Sequence, residues 1–210
     1  MCPRSVLVGF GTLPIVGAPW DVPVSVEGRD TLIRLAREYR DSGQQFELGC
    51  TLSRLAHVVK HVGAPGDIPA FQAAASVGDQ AVEILRECGA KRELALALLN
   101  SAVPFSEIDY EAILNEALAL SQEVGDAELE GWIRYRMTRA NGVAGHTLEE
   151  ALACFEKINC KLGIAVCLSS LGFQREPPDI EMMRKAVSLY EECGREEDAK
   201  RVRAMIWVSG

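Results

Sequence analysis

The sequence predicts an all-α protein of the α-α superhelix class, a helical-hairpin solenoid of about five repeats with an irregular N-terminal arm. Three observations predict this class. Four segments align without gaps and start 36, 34 and 35 residues apart, a period typical of repeat proteins. Each has small or apolar residues at positions i, i+4 and i+7, which share one helix face. Gly or Asn then follows, as is usual where a helix ends in a left-handed residue. The segments are 81–89, 117–125, 151–159 and 186–194.

Composition excludes several classes of protein. The chain has 210 residues, of which 48% are hydrophobic, and its 22 Lys and Arg against 30 Asp and Glu give a net charge of −8. This mixture is globular and excludes a disordered or fibrous chain. The negative charge argues against a nucleic-acid partner, because such binding needs clustered cations. No stretch approaches the roughly 18 apolar residues of a transmembrane helix, so we expect no membrane partner.

The cysteine and histidine content predicts neither disulfides nor a metal site. Seven cysteines are an odd number, and no two of them form a C-x-x-C pair. We interpret them as free thiols in a reducing compartment and therefore predict a cytoplasmic protein. His57 and His61 are four residues apart, but the Glu of an H-E-x-x-H motif is missing, and two histidines alone are an incomplete site. We expect no cofactor.

The first 28 residues differ from the remainder of the chain. The apolar run 6–17 follows Arg4, as in a secretory signal, but Gly and Pro interrupt it. We therefore predict an extended arm over 1–28 and a helical repeat domain over 29–210. A weaker fifth copy of the repeat covers 35–43 and begins 46 residues before Ala81. The excess length falls at 63–69, which is rich in Gly and Pro and predicts an inserted loop.

A second helix is predicted to follow each left-handed position, with small residues that allow two helices to approach closely. Helix starts are also marked. Thr147 and Glu150 have the spacing of a capping box, and Pro177-Pro178-Asp179 predicts the start of the last pair. The recurring small or apolar positions of the second helices are 49, 52, 55 and 56, then 95, 98, 101 and 102, and finally 165, 168, 171 and 172.

These segments resemble the tetratricopeptide repeat family. Residues 151–158 are similar to the second helix of that repeat, and 161–172 to its first helix, in the version found in bacterial signalling ATPases and transcriptional activators. The resemblance covers about residues 29 to 208. Arg134 and Ser101 depart from the family pattern, since each replaces an expected Leu. The alternative is a generic helical bundle with coincidental spacing.

The resemblance implies that the first helices line a concave, peptide-binding surface. In one unit Trp132, Tyr135, Arg136 and Arg139 occur at i, i+3, i+4 and i+7 and therefore share a face. Trp, Tyr and Arg are enriched at binding hot spots, and guanidinium groups hold carboxylates. In the alternative, Trp132 and Tyr135 are core residues and the arginines pair with Glu128 and Glu130. The predicted groove residues are Ser53, His57, Asn100, Trp132, Tyr135, Arg136, Arg139 and Phe173.

We expect an interaction module that binds a partner peptide in this groove, with an acidic peptide favoured by the arginines. The sequence has no G-x-x-x-x-G-K-[ST] loop and no G-x-S-x-G elbow, so we predict no enzyme and no catalytic residue. Two alternatives remain open. One is a sensor domain of a larger signalling protein that binds a peptide or small effector, and the other is an all-helical enzyme with an unrecognised pocket. The sequence leaves the oligomeric state open.

Overall fold

The prediction of an all-α protein is confirmed. A computed structural model describes residues 24–62, 67–102, 110–140 and 146–209, and these ranges contain ten helices and no strand. Helices that follow each other in sequence pack against each other within each half of the chain. No helix within these ranges is both long and apolar enough to cross a bilayer. The superhelical arrangement of the hairpins stays a prediction.

The helices form two compact units that divide between Asp126 and Ala127. Each unit has its own set of internal contacts, and the repeat domain over 29–210 stays a prediction. The first unit contains α1 Val26–Asp41, α2 Gln45–Val62, α3 Ile68–Glu87, α4 Lys91–Ser101 and α5 Tyr110–Val124. The second contains α6 Ala127–Ala140, α7 His146–Lys157, α8 Lys161–Gln174, α9 Ile180–Glu192 and α10 Glu196–Ser209.

The helix ends follow the repeat pattern. Gly43, Gly89, Gly125 and Gly194 all have φ between 66° and 72°, and Asn159 takes the same left-handed conformation with φ of 53°. The alanines at the first position of the four strong repeat copies are completely buried, which confirms that position i faces the interior. The predicted i+7 positions are different: three are exposed and one is half-buried. They lie at or just after the last helical residue, where the chain turns away from the adjacent helix.

Helix starts differ from the prediction in three places. Helix α1 begins at Val26 behind the N-cap Ser25, so residues 26–28 of the predicted arm are helical, and residues 1–23 lie outside the described ranges. The predicted loop 63–69 is too long, because Asp67 caps α3 and residues 68–69 are helical, while 63–66 are not described. Helix α7 begins at His146, one residue before the predicted N-cap Thr147.

The start of the last pair is as predicted. The Asp179 carboxylate accepts a hydrogen bond from the Met182 backbone N–H at 2.9 Å, so it caps α9 immediately after the two prolines. The capping satisfies one of the backbone N–H groups that a helix leaves without an internal acceptor.

Close contacts at glycines hold the first unit together. Helix α2 packs against α1, α3 and α4, and α4 also contacts α3 and α5. Gly49 of α2 lies against the Leu85 side chain, since a Cβ built at 49 would be 2.7 Å from Leu85 Cγ. Gly78 of α3 lies against Ser101 of α4 in the same way, with a built Cβ 2.5 Å from Ser101 Cβ. Side chains at either glycine would push these helices apart.

The second unit is centred on the ring of Phe155. Helix α7 packs against α6 and α8, and α9 packs against α8 and α10. Phe155 is fully buried between Gly131 of α6 and Gly163 of α8, and a Cβ built at Gly131 would be 2.8 Å from the ring. The Trp132 ring lies 4.7 Å from that of Phe155, between ring centroids. Aromatic contact and missing Cβ atoms therefore fix the spacing of α6, α7 and α8.

We predict that Gly78→Ala lowers the free energy of unfolding by about 1–3 kcal/mol, the usual range for overpacking a tight contact. The added methyl would meet the backbone Cα of Ser101 at 2.9 Å as well as its side chain, so no rotamer change relieves the overlap. Chemical denaturation followed by circular dichroism measures the effect. Ser76→Ala on the exposed side of α3 is the control and should change stability little. Equal stability of the two variants would contradict the close packing of α3 on α4.

Candidate functional site

The predicted groove residues lie on α2, α4, α6 and α8, and most of them are buried. Phe173 of α8 is 51% exposed. Arg139 lies on α6, but its side chain is not among those described. The six that are buried are Ser53, His57, Asn100, Trp132, Tyr135 and Arg136. The structure brings together those of the first unit and, separately, those on α6.

In the first unit, a polar cluster joins α2 to α4. The Asn100 side-chain amide donates a hydrogen bond to Ser53 Oγ at 3.1 Å. Lys60 Nζ donates to the backbone carbonyl of Asn100 at 3.0 Å. That carbonyl is one of the last four of α4, for which the helix itself supplies no N–H donor. The ammonium group also lies at the C-terminal end of α4, which is the negative end of the helix dipole. Lys60 therefore caps α4 with its charge.

Two histidines and an arginine continue this cluster along α2. The His57 and His61 rings lie 4.6 Å apart between centroids, tilted by 54°. Arg54 precedes His57 by three residues and so shares its face. Arg54 and His57 are 3% and 2% exposed, whereas His61 is half-buried. We call the resulting set the α2 basic face: Ser53, Arg54, His57, Lys60 and His61, together with Asn100 of α4.

The charge of the α2 basic face is positive. Arg54 and Lys60 are cationic at neutral pH, and none of the described Asp and Glu side chains is in the buried class. Glu47 of α2 and Glu93 of α4 lie toward the N-terminal end of α2, where both raise the pKa of the Cys50 thiol. Across the described ranges, no group of three or more His, Cys, Asp or Glu is arranged to hold a metal ion.

Helix α6 carries the second set. Trp132 is 1% exposed and packs on Phe155, and the Tyr135 ring meets the indole edge-on at 6.2 Å between centroids. This burial agrees with the core alternative for both aromatic residues. The indole Nε1–H is also buried, and no described residue accepts a hydrogen bond from it. Arg136 follows Trp132 by one helical turn and is buried as well.

Two acidic residues in the first turn of α6, Glu128 and Glu130, have partners that the sequence did not predict. Arg134 donates from Nε to Glu130 at 2.9 Å and also pairs with Glu150 of α7. Glu128 accepts a weak hydrogen bond from the Cys160 thiol at 3.9 Å. Arg134 therefore links α6 to α7.

The sequence predicted neither the contribution of Lys60 nor the position of His61 beside His57. The signal was present in part: residues 53, 54, 57, 60 and 61 follow the i, i+3, i+4, i+7 spacing of one helix face. Helical periodicity predicts which residues share a face of α2, but it does not predict which residues of other helices pack against that face. The contact between Lys60 and Asn100 joins residues 40 positions apart, which no local pattern predicts.

Two of the described cysteines, Cys50 and Cys167, are not activated as nucleophiles. All six described cysteines are free thiols. Burial raises the pKa of Cys50 to about 12, with nearby Glu93 and Glu47 adding to the rise. Burial also raises the pKa of Cys167 well above its usual range. Because the thiolate is the reactive form, neither side chain suits nucleophilic catalysis at neutral pH.

Neither a protein-family model nor a curated protein sequence matches this chain.

We predict that alkylation of the native protein at pH 8 spares Cys50. With a pKa near 12, only about one Cys50 in ten thousand is a thiolate at that pH, and the fraction rises tenfold per pH unit up to the pKa. Exposed Cys88 is the internal comparison. Mass spectrometry after iodoacetamide treatment should show Cys88 modified first. Rapid labelling of Cys50 at pH 8 in folded protein would show that the thiol is not shielded.

We also predict that Lys60→Met lowers the free energy of unfolding by about 1–2 kcal/mol, because the C-terminal carbonyl of α4 loses its charged donor. Methionine keeps most of the length and volume of the side chain. Lys91→Met, which removes an exposed ammonium group of the same unit, is the matched control and should have less effect. Equal effects of the two substitutions in thermal and chemical denaturation would argue against the capping role.

Proposed function

We propose that this chain is a protein-interaction module that binds a segment of a partner protein on the α6 face formed by Trp132, Tyr135 and Arg136. One observation carries the proposal: the indole N–H of Trp132 is buried, yet no described residue accepts its hydrogen bond. A buried donor without an acceptor costs about 1–3 kcal/mol, and most native structures avoid it. A ligand oxygen placed there would recover that energy.

The neighbouring side chains define the ligand's chemistry. Arg136 lies one turn from Trp132, so an acceptor bound by the indole N–H is also within reach of a guanidinium group. Guanidinium groups form short, charge-assisted hydrogen bonds to carboxylates. The ligand group that suits an indole N–H beside a guanidinium group is a carboxylate, from an acidic side chain or a chain terminus. An acidic segment of a partner protein supplies such groups.

Access to the indole requires side-chain movement on this face. Tyr135 and Arg136 are buried but lie nearer to solvent than Trp132. Rotamer changes of this kind are common when interfaces form, even where the backbone stays in place. The ligand would then reach the indole from the side on which Tyr135 and Arg136 lie, while the other side of the indole stays packed on Phe155. The Phe155 contact keeps the indole in one orientation and so lowers the entropy lost on binding.

We predict that Trp132→Phe weakens peptide binding by about tenfold or more in protein that remains folded, which circular dichroism checks. Phenylalanine keeps an aromatic ring against Phe155, and the change removes only the donor and part of the ring. The peptide is one selected by the wild-type protein from a display library of short peptides, and fluorescence anisotropy of the labelled peptide measures its affinity.

Trp207→Phe is the control, because Trp207 is 84% exposed on α10 of the same unit. It should bind like the wild type. A second comparison replaces the Asp and Glu of the selected peptide by Asn and Gln, which should weaken binding to the wild type. Selection of no peptide by folded protein, or equal affinities for wild type and Trp132→Phe, would remove the basis of the proposal.

A further inference from the structure

We infer that the α6 face selects a glutamate side chain of the partner segment over an aspartate side chain or a chain-terminal carboxylate. This selectivity rests on the proposed function, because it concerns the same donor, the indole N–H of Trp132, for which no described residue is the acceptor. It narrows the ligand from carboxylates in general to one amino acid.

The indole N–H lies beneath other side chains of its own helix. Trp132 is 1% exposed, whereas Tyr135 and Arg136, three and four residues further along α6, are 7% and 8% exposed. Side chains of an α-helix lean toward its N-terminus, so residues at these spacings cover the turn that carries Trp132. A ligand oxygen that accepts from the indole therefore has to pass between Tyr135 and Arg136, while the ligand's main chain stays outside them.

The three kinds of carboxylate differ in how far they extend from the main chain. A terminal carboxylate is bonded directly to Cα, an aspartate carboxylate is separated from Cα by one methylene group, and a glutamate carboxylate by two. The backbone N–H and C=O groups of the ligand need water or partners of their own, and burying them without partners is unfavourable. Glutamate reaches the deepest donor with its backbone still in contact with water.

The walls of this approach favour the longer side chain as well. The phenol ring of Tyr135 is apolar, and so is the methylene stem of Arg136, whichever groups its guanidinium contacts. Methylene groups that pass between these walls are removed from water. The additional methylene of glutamate is expected to strengthen binding by about fourfold relative to aspartate.

The single donor also distinguishes glutamate from glutamine. The two side chains have the same length, but a carboxamide carries an NH₂ group as well as an acceptor oxygen. Beside an indole N–H that already needs an acceptor, this NH₂ group would become a second buried donor without a partner, which is unfavourable. A carboxylate presents acceptors only, and its charge strengthens the hydrogen bond to the indole.

Peptide substitutions test the selectivity without changing the protein. The peptide is the one selected by the wild-type protein, and fluorescence anisotropy measures its affinity. The acidic position bound by the indole is the one whose replacement by Ala weakens binding to the wild type but not to Trp132→Phe, because the two changes then remove one shared interaction. We expect this residue to be Glu, and its replacement by Asp or by Gln to weaken binding to the wild type by about fourfold or more.

Two controls accompany these measurements. The same replacements at acidic positions that do not couple to Trp132 should have less effect, and the Trp207→Phe protein should distinguish the peptides as the wild type does, because Trp207 is exposed. Amidation of the peptide's C-terminus should leave the affinity unchanged.

The outcomes separate this inference from the proposed function. Asp binding as tightly as Glu at the coupled position would overturn the selectivity, and loss of binding on amidation would assign the chain terminus instead. In either case weaker binding to Trp132→Phe would still support the peptide site. Equal affinities of the wild type and Trp132→Phe for the peptide would remove both.

Discussion

Close approach of helices at positions without a Cβ atom is the constraint on which each unit depends. Gly49 admits the Leu85 side chain between α2 and α3, and Gly78 lies on Ser101 where α3 crosses α4. At such separations the helices exclude water from their shared face, and the apolar side chains around the contact are buried completely. The same closeness brings polar groups of α2 and α4 within hydrogen-bond distance. The polar cluster that joins α2 to α4 therefore depends on the helix packing of the first unit.

The helical class and most helix ends could be predicted because their causes are local. A left-handed residue must follow a helix that ends in a tight turn, and Gly or Asn occupies all five such positions. The fully buried alanines at 81, 117, 151 and 186 follow from the same repeat. Positions such as Val124 and Ile158 were placed on the buried face, since helical periodicity continues past the residue at which the helix stops. The period alone does not reveal where a neighbouring helix ends.

The candidate sites could be predicted only in outline. Spacing showed that Trp132, Tyr135 and Arg136 share a face, but burial depends on what packs there, and the ring of Phe155 comes from a different helix. Arg134 was read as a departure from a pattern, while in the structure it pairs with Glu130 and Glu150. The capping of α4 by Lys60 also joins distant parts of the sequence. Each of these contacts is set by tertiary packing, which a single sequence encodes only indirectly.

The position of Phe155 between two glycines has an evolutionary consequence. A larger residue at 131 or 163 would overlap the ring, and a smaller residue at 155 would leave a void between three helices. Neither change is tolerated well by itself, so the three sites are expected to have mutated in concert along any lineage that altered one of them. Only a less bulky residue at 155 would leave room for side chains at 131 and 163.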